Sequence, residues 1–126
     1  MENLQSIKTL HNGVEMPLLG LGVFRVEDGQ ELIDAVKIAI KNGYRSIDTA
    51  AIYGNEVGVG KGIRKGIEDG NIAREDLFIT SKVWNSELGY EETIAAYEES
   101  LTKLGLEYLD LYLIHWPVEG KYKAAW

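Results

Sequence analysis

The sequence predicts an α/β fold in which a small β-hairpin precedes repeated βα units that form a parallel sheet. Short apolar segments that look like strands begin at residues 18, 44, 77 and 109, and segments with helical periodicity separate them. Strands that alternate with helices in this way form parallel sheets. The chain has 126 residues, the size of one ordinary domain, and contains no linker or low-complexity tract. Residues 1–126 are therefore predicted to form a single domain.

The hairpin is predicted over residues 7–16, approximately. Asn12-Gly13 lies at its middle. Asn-Gly is the strongest short hairpin signal, because both turn residues must take positive φ. Pro17 is expected to end the hairpin.

Each helix is predicted from apolar residues that recur on one face. Gly43 and Gly105 follow the first and third helices, where a glycine commonly ends a helix. The predicted strands cover residues 18–21, 44–47, 77–80 and 109–114. The first helix is predicted at residues 30–41 and the third at residues 91–103. The second contains Val59, Ile63 and Ile67 and ends before Gly70, and a fourth starts within residues 121–126.

Four βα units are compatible with two architectures. They can form half of an eight-stranded barrel or a small doubly wound sheet, and the pattern alone does not choose between them. A complete (β/α)₈ barrel takes about 250 residues, so this chain has about half the necessary length.

The composition excludes several classes of function. The chain has 20 acidic and 13 basic residues and a net charge of −7, which argues against a broad nucleic-acid interface. It has no cysteine, so a disulfide framework, a thiolate zinc site and a cysteine nucleophile are excluded. Residues 18–24 are the longest notable apolar run, whereas a membrane span needs about 20 apolar residues. Residues 1–5 do not resemble a signal peptide, so the cytosol is the expected location.

Two glycine patterns resemble phosphate-binding motifs but fail at required positions. The dinucleotide fingerprint that Gly20 and Gly22 suggest would need a third glycine where Arg25 stands. A phosphate loop at residues 58–62 would need a leading glycine where Asn55 stands. These glycines are interpreted as turns and a loose helix start. No metal site is expected, because the two histidines of the chain are far apart in sequence.

Four ionisable residues follow successive predicted strands. Asp48, with Tyr53 five residues later, follows the second strand, Lys82 follows the third and His115 the fourth. The carboxyl ends of parallel strands share one face, which in barrels holds the active site. A nearby ammonium lowers the pKa of a phenol, a carboxylate holds that ammonium, and a histidine can orient a carbonyl oxygen. The combination is that of a proton donor for a carbonyl under reduction.

Each of these residues also has an ordinary interpretation. Asp48 could cap a turn, Tyr53 could be a rim aromatic, Lys82 a solvated charge, and His115 a hydrogen-bonded core histidine. Taken together on one predicted face, the four residue types favour a site.

The segments around these residues resemble the aldo-keto reductase family. The chain has Tyr-Arg-Ser-Ile-Asp-Thr-Ala at residues 44–50, followed by Tyr-Gly-Asn-Glu at residues 53–56. This segment resembles the second-strand signature of the family. Ile-Thr-Ser-Lys-Val-Trp at residues 79–84 resembles its third-strand signature, and Leu-Asp-Leu-Tyr-Leu-Ile-His-Trp-Pro at 109–117 its fourth. Leu-Gly-Leu-Gly at residues 19–22 and the hairpin match its N-terminus. Within the family, the chain resembles bacterial aldehyde and 2,5-diketogluconate reductase-like members.

The resemblance implies a (β/α)₈ TIM barrel, of which this chain holds the hairpin and the first four βα units. It also implies reduction of aldehydes or ketones with NADPH, or alternatively NADH. By resemblance, Tyr53 is the general acid, Lys82 lowers its pKa, Asp48 partners Lys82, and His115 orients the carbonyl.

The resemblance further implies where the ligands lie. Gly22, Val23, Phe24 and Asp48 would lie beside the nicotinamide. Many members have threonine and then tryptophan or tyrosine where Val23 and Phe24 stand, which puts the side-chain contacts in question and leaves backbone contacts. The substrate pocket would be lined by Phe24, Trp84, His115 and Trp116.

The family grips the cofactor phosphates mainly with the second half of the barrel. We therefore expect this chain alone to bind NADPH poorly and to turn over little or nothing. Because an open half-barrel leaves two strand edges unpaired and an apolar inner face exposed, we also expect the isolated chain to self-associate or to be only partly ordered, whereas a full-length form is expected to be a monomer. The alternative function is a non-catalytic half-barrel that serves assembly or partner binding. The carbonyl substrate is not specified by the sequence.

Overall fold

The computed structural model describes residues 2–126 and contains six strands and four α-helices over this range. A two-stranded hairpin comes first, and a four-stranded sheet with helices between its strands follows. The strands are β1 (Ile7–Thr9), β2 (Glu15–Pro17), β3 (Leu21–Gly22), β4 (Ser46–Asp48), β5 (Phe78–Val83) and β6 (Leu111–Ile114). The helices are α1 (Gln30–Lys41), α2 (Glu56–Gly70), α3 (Tyr90–Leu104) and α4 (Tyr122–Ala125).

The order of the strands distinguishes between the two architectures that the pattern of elements left open, and it confirms the half-barrel that the family resemblance implied. The sheet runs β3-β4-β5-β6, all parallel, so each strand pairs with the next one along the chain. A doubly wound sheet reverses its strand order at a switch point, whereas a barrel adds strands in one direction. The chain therefore forms one half of a (β/α)₈ barrel, with the hairpin ahead of it.

The hairpin forms where it was predicted, but its turn differs from the expected one. β1 pairs antiparallel with β2 from Ile7 opposite Pro17, so Pro17 belongs to the second arm. Positive φ occurs at Gly13 (84°) and not at Asn12, contrary to the expectation for a two-residue turn. Asn12 instead accepts a hydrogen bond from the Val14 N–H through Oδ1 (3.1 Å). The Asn-Gly pair thus stabilises a longer loop by a side-chain bond.

The strand boundaries required correction. The first parallel strand was predicted at residues 18–21, but β3 begins at Leu21. The Leu18 N–H bonds to the Ser6 carbonyl oxygen beside the hairpin, so this residue continues the hairpin and is half exposed. β5 was predicted to end at residue 80 but extends to Val83. Lys82 therefore lies within a strand and not after one.

The core lies between the sheet and the helices. Its fully buried members come from the apolar faces predicted for the helices and from the outward faces of the strands; they include Leu32, Val36, Ile40, Ile47, Val59, Ile63, Ile79 and Leu104. Within residues 2–126, no helix is long and apolar enough to cross a membrane.

The glycines of residues 58–62 lie inside α2, not in turns or a loose helix start as the sequence suggested. A Cβ added at Gly60 would collide with the backbone of Leu104 at the end of α3. A Cβ added at Gly62 would lie 2.6 Å from Cβ of Val36 on α1. These glycines therefore let α2 approach both neighbouring helices more closely than any side chain would permit.

Candidate active site

The strand ends bring the four predicted ionisable residues to one edge of the sheet. Asp48 is the last residue of β4, Lys82 the penultimate residue of β5, and His115 follows the last residue of β6. In the register, Asp48 lies opposite Thr80 and Lys82 lies opposite Leu113, so these side chains project from the same face. That face is the inside of the half-barrel.

The ammonium of Lys82 is the centre of the site. Lys82 Nζ donates to Asp48 Oδ2 at 2.8 Å and to the carbonyl oxygen of Thr49 at 2.8 Å. It also donates to the hydroxyl oxygen of Tyr53 at 3.4 Å. The Lys82 side chain is largely buried, whereas that of Asp48 remains half exposed. One ammonium thus joins a carboxylate, a backbone oxygen and a phenol.

A short 3-10 turn presents Tyr53 to Lys82. The turn spans Ala51–Tyr53 and ends at Gly54, whose φ of 68° lies in the left-handed region that favours glycine. The buried side chain of Asn55 closes the loop by donating to the carbonyl oxygens of Val23 (3.0 Å) and Val26 (2.9 Å). The loop that carries Tyr53 is therefore fixed to the segment that follows β3.

His115 lies beside Tyr53 as a neutral imidazole at neutral pH. Its ring meets that of Tyr53 edge-on with centroids 6.0 Å apart, and Trp84 packs against its other side at 5.2 Å. Burial, and then the Lys82 ammonium, lower the pKa of His115 below its usual value, against a smaller opposing effect of Asp48. The Nδ1 atom is buried without a hydrogen-bond partner among residues 2–126. The ring can therefore donate one N–H without carrying a charge.

Three aromatic residues, Phe24, Trp84 and Trp116, were predicted to line the substrate pocket. Phe24 lies against the Tyr53 ring with centroids 5.2 Å apart and is 62% exposed, and Trp116 is 59% exposed. Trp84 is partly covered by His115. Of these three aromatic residues, called the aromatic rim below, Phe24 lies against Tyr53, Trp84 lies against His115, and Trp116 follows His115 in the chain.

Gly22 and Val23, both predicted to lie beside the nicotinamide, differ in how accessible they are to a ligand. Gly22 pairs with Asp48 between β3 and β4, and a Cβ added to it would meet nothing within 4 Å, so its face is open. Val23 is different, because its side chain is 2% exposed and belongs to the core. The structure leaves only the backbone of Val23 for a ligand.

Two contributions were missed by the sequence reasoning. The Thr49 carbonyl oxygen holds Lys82 as closely as Asp48 does, and backbone oxygens leave no mark in a sequence. Asn55 anchors the Tyr53 loop through its side chain. Its partners, the carbonyl oxygens of Val23 and Val26, lie about 30 residues earlier in the chain, so no local pattern could indicate them. Among residues 2–126, no group of three or more potential metal ligands occurs.

Comparison with protein families matches residues 18–124 to the Aldo/keto reductase family. Two similar curated proteins come from Bacillus subtilis strain 168. The uncharacterized oxidoreductase YtbE is 77% identical over 124 residues, and glyoxal reductase is 64% identical over 124 residues. Each comparison covers 98% of this chain but 44% of the relative. The chain therefore spans less than half the length of these relatives.

Solved structures show the same likeness. An aldo/keto reductase from Brucella melitensis is 48% identical with a TM-score of 0.84, over 96% of this chain and 46% of that one. An aldo-keto reductase from Bombyx mori in complex with NADP is 40% identical with a TM-score of 0.85, over 98% of this chain and 42% of that one.

Proposed function

We propose a function from the premise that this chain belongs to the aldo/keto reductase family, whose model matches residues 18–124. The chain supplies the proton-delivery side of a nicotinamide-dependent reductase that converts an aldehyde or ketone to an alcohol. The observation that carries this proposal is the contact of one buried ammonium, Lys82, with both Asp48 and the Tyr53 hydroxyl.

The four side chains divide the proton transfer among them. As hydride reaches the carbonyl carbon, negative charge develops on the carbonyl oxygen, and Tyr53 donates its hydroxyl proton to that oxygen. The phenolate that remains is stabilised by the Lys82 ammonium, which Asp48 keeps charged and in place. Neutral His115 donates an N–H to the carbonyl oxygen and orients it, and donors placed in advance stabilise developing charge most effectively.

The residues present fit the nicotinamide end of NADPH, or alternatively NADH. Gly22 offers an open face beside the half-exposed Asp48 carboxylate, and the Phe24 ring lies above the Tyr53 ring. When bound there, the cofactor would supply the hydride. Gly22, the Val23 backbone, Phe24 and Asp48 would hold the ring end, and we propose that residues beyond this chain grip the phosphates.

The rim supports a small carbonyl compound as the substrate. We propose that Phe24, Trp84 and Trp116 provide apolar walls beside Tyr53 and His115, whose polar groups would orient the substrate. Such a mostly apolar pocket with a few convergent polar groups is typical of small-molecule sites. A relative of this chain is named glyoxal reductase, so glyoxal belongs in the test set.

Replacement of Tyr53 by phenylalanine tests the proposal. The chain is fused to the part of YtbE that follows its matched segment, and NADPH oxidation is measured with an aromatic aldehyde and with glyoxal. Tyr53→Phe is expected to lower kcat by about 10²- to 10⁴-fold, the usual contribution of a positioned acid. Tyr90→Phe, at a tyrosine that is 73% exposed on α3, is the control and keeps the wild-type rate. Equal turnover by Tyr53→Phe and wild type would refute the proton-donor role.

The second candidate function is a non-catalytic half-barrel that serves assembly. The observation that favours it is that β3 and β6 each pair on one side only within the described sheet. The intact mass of the native protein separates the two functions. A mass of about 30 kDa or more, the size of a complete barrel, supports the enzyme, whereas a mass equal to that of these residues supports the assembly unit.

A further inference from the structure

We propose that Glu56 is a positioning residue of this site, which sets the distance between the loop that carries Tyr53 and the strand that carries Lys82. The proposal extends the function proposed above and rests on it. Glu56 is 2% exposed, although it carries a carboxylate and lies outside the group that contacts the Tyr53 hydroxyl. None of the ion pairs among residues 2–126 includes it. A buried carboxylate without a cation is costly, so its hydrogen bonds must account for its presence.

The Glu56 carboxylate joins three elements. Glu56 is the first residue of α2, where the positive end of the helix dipole favours an acidic group. Its Oε2 accepts from the Ser81 hydroxyl of β5 at 2.8 Å, and its Oε1 accepts from the Ser100 hydroxyl of α3 at 3.0 Å. Both serines are buried, at 0% and 1% exposure. Each carboxylate oxygen is therefore used, and each on a different element.

The bond to Ser81 connects the two partners of the proton transfer. Ser81 precedes Lys82 on β5 and points to the opposite face of the sheet, as side chains alternate along a strand. Glu56 follows Tyr53 by three residues, at the far end of the same loop. The Glu56 carboxylate thus bonds to β5 on the outward face of the sheet. On the inward face, the Lys82 ammonium bonds to the carbonyl oxygen of Thr49 and to the hydroxyl of Tyr53.

The negative charge of Glu56 also affects Tyr112 on the neighbouring strand β6. Tyr112 lies opposite Ser81 in the register between β5 and β6, on the same outward face. Burial, and then the Glu56 carboxylate, raise the pKa of Tyr112 above its usual range. The carboxylate therefore bonds to the outward face of β5, which carries Lys82, and acts electrostatically on the outward face of β6, which precedes His115.

The two serines provide a matched pair of variants. Ser81→Ala and Ser100→Ala each remove one buried hydroxyl from the same carboxylate. Glu56→Ala removes the acceptor of both and leaves β5 unchanged, so it separates the role of Glu56 from a local effect of Ser81 on Lys82. If Glu56 positions Lys82 through Ser81, only Ser81→Ala changes the geometry between Lys82 and Tyr53. Glu56→Gln is expected to keep that geometry, because an amide can accept from one hydroxyl and donate to the other.

The readout is the proton chemical shift of the Lys82 ε-methylene group, measured by NMR in the full chain labelled at lysine. Lys82 Nζ lies 5.1 Å from the centroid of the Tyr53 ring, so the adjacent methylene protons carry a ring-current shift. Lys82→Met assigns the signal, and Tyr53→Leu gives its position without the ring. The measurement requires no cofactor and no turnover, so it is independent of whether Tyr53 is the proton donor.

We expect Ser81→Ala and Glu56→Ala to lose most of the ring-current shift, and Ser100→Ala and Glu56→Gln to keep it; a folded Glu56→Ala variant that keeps the shift would overturn the proposal. Thermal melting of each variant checks that it is folded. If Ser81→Ala does not fold, Ser81→Cys replaces it, because a thiol keeps the shape but is a weak donor. Folded Ser81 and Ser100 variants with the same shift, whether retained or lost, would overturn the proposal.

Discussion

At the scale of single residues, Lys82 shows why a sequence predicts the composition of this site better than its geometry. Asp48, Tyr53, Lys82 and His115 could be selected because ionisable side chains follow apolar strands in a periodic pattern. The structure brings all four together. The Thr49 carbonyl oxygen on Lys82 could not be predicted, because every residue carries such an oxygen and only the fold determines which one is used.

The protonation of His115 predicts a pH effect on stability. Its pKa in the folded chain is lowered from the ordinary value of 6.5, first by burial and then by Lys82. Between the lowered pKa and the ordinary one, the unfolded chain binds more protons than the folded chain, so stability falls as the pH falls through this window. Wild type should therefore lose more free energy of unfolding than His115→Gln between about pH 7.5 and about pH 5.

Urea denaturation at the two pH values measures this difference. His11→Gln is the control, since His11 is an exposed residue of the hairpin loop. The prediction is wrong if His115→Gln and wild type show the same dependence on pH.

At the scale of elements, helices were predicted more accurately than strands. The first helix was predicted at residues 30–41 and forms over that span. A helix of this length repeats its apolar face several times, whereas β3 has two residues and offers almost no periodicity to detect. Helical glycines were misinterpreted for a related reason. From the local sequence, glycines suggest a turn because they are flexible. Here they instead allow the close approach of α2 to α1 and α3, which depends on the tertiary structure.

The close contact between α2 and α3 predicts opposite effects for two glycine substitutions in one helix. Gly60→Ala should lower the free energy of unfolding by about 1–3 kcal/mol, because its Cβ would collide with the backbone of Leu104. Gly70→Ala should be neutral or stabilising by up to about 1 kcal/mol, because alanine is the better helix former and its Cβ would lie 3.9 Å from the nearest atom, on Ile72. Chemical denaturation of both variants tests this, and equal effects would contradict it.

At the scale of the whole molecule, the fold class was predicted from the alternation of elements, and the half-barrel was predicted from the resemblance of the strand segments to the aldo-keto reductases. The alternation alone left a doubly wound sheet open, because periodicity does not encode which strands pair, and the strand order confirms the half-barrel. The division of residues 1–126 into one domain remains a prediction.

The two outer strands of the sheet predict self-association of this chain in solution. β3 and β6 each have one edge without a partner in the described sheet, and Leu113 on the inner face is 38% exposed. Unpaired strand edges and exposed apolar faces promote association between chains. Sedimentation velocity should therefore show dimers or larger species that increase with concentration. A single monomeric species with a sharp calorimetric melt would contradict this expectation.

The separate origin of the aromatic rim and the ionisable side chains has a consequence for protein engineering. Asp48 and Lys82 belong to strands held by ladder hydrogen bonds, whereas Phe24, Trp84 and Trp116 lie just beyond strand ends in connecting segments. Loops tolerate substitution better than the strands that support them. Under the proposed function, a library confined to these three rim positions would vary the pocket proposed for the carbonyl substrate and leave Asp48 and Lys82 unchanged, and the exposed Phe24 and Trp116 are its natural starting points.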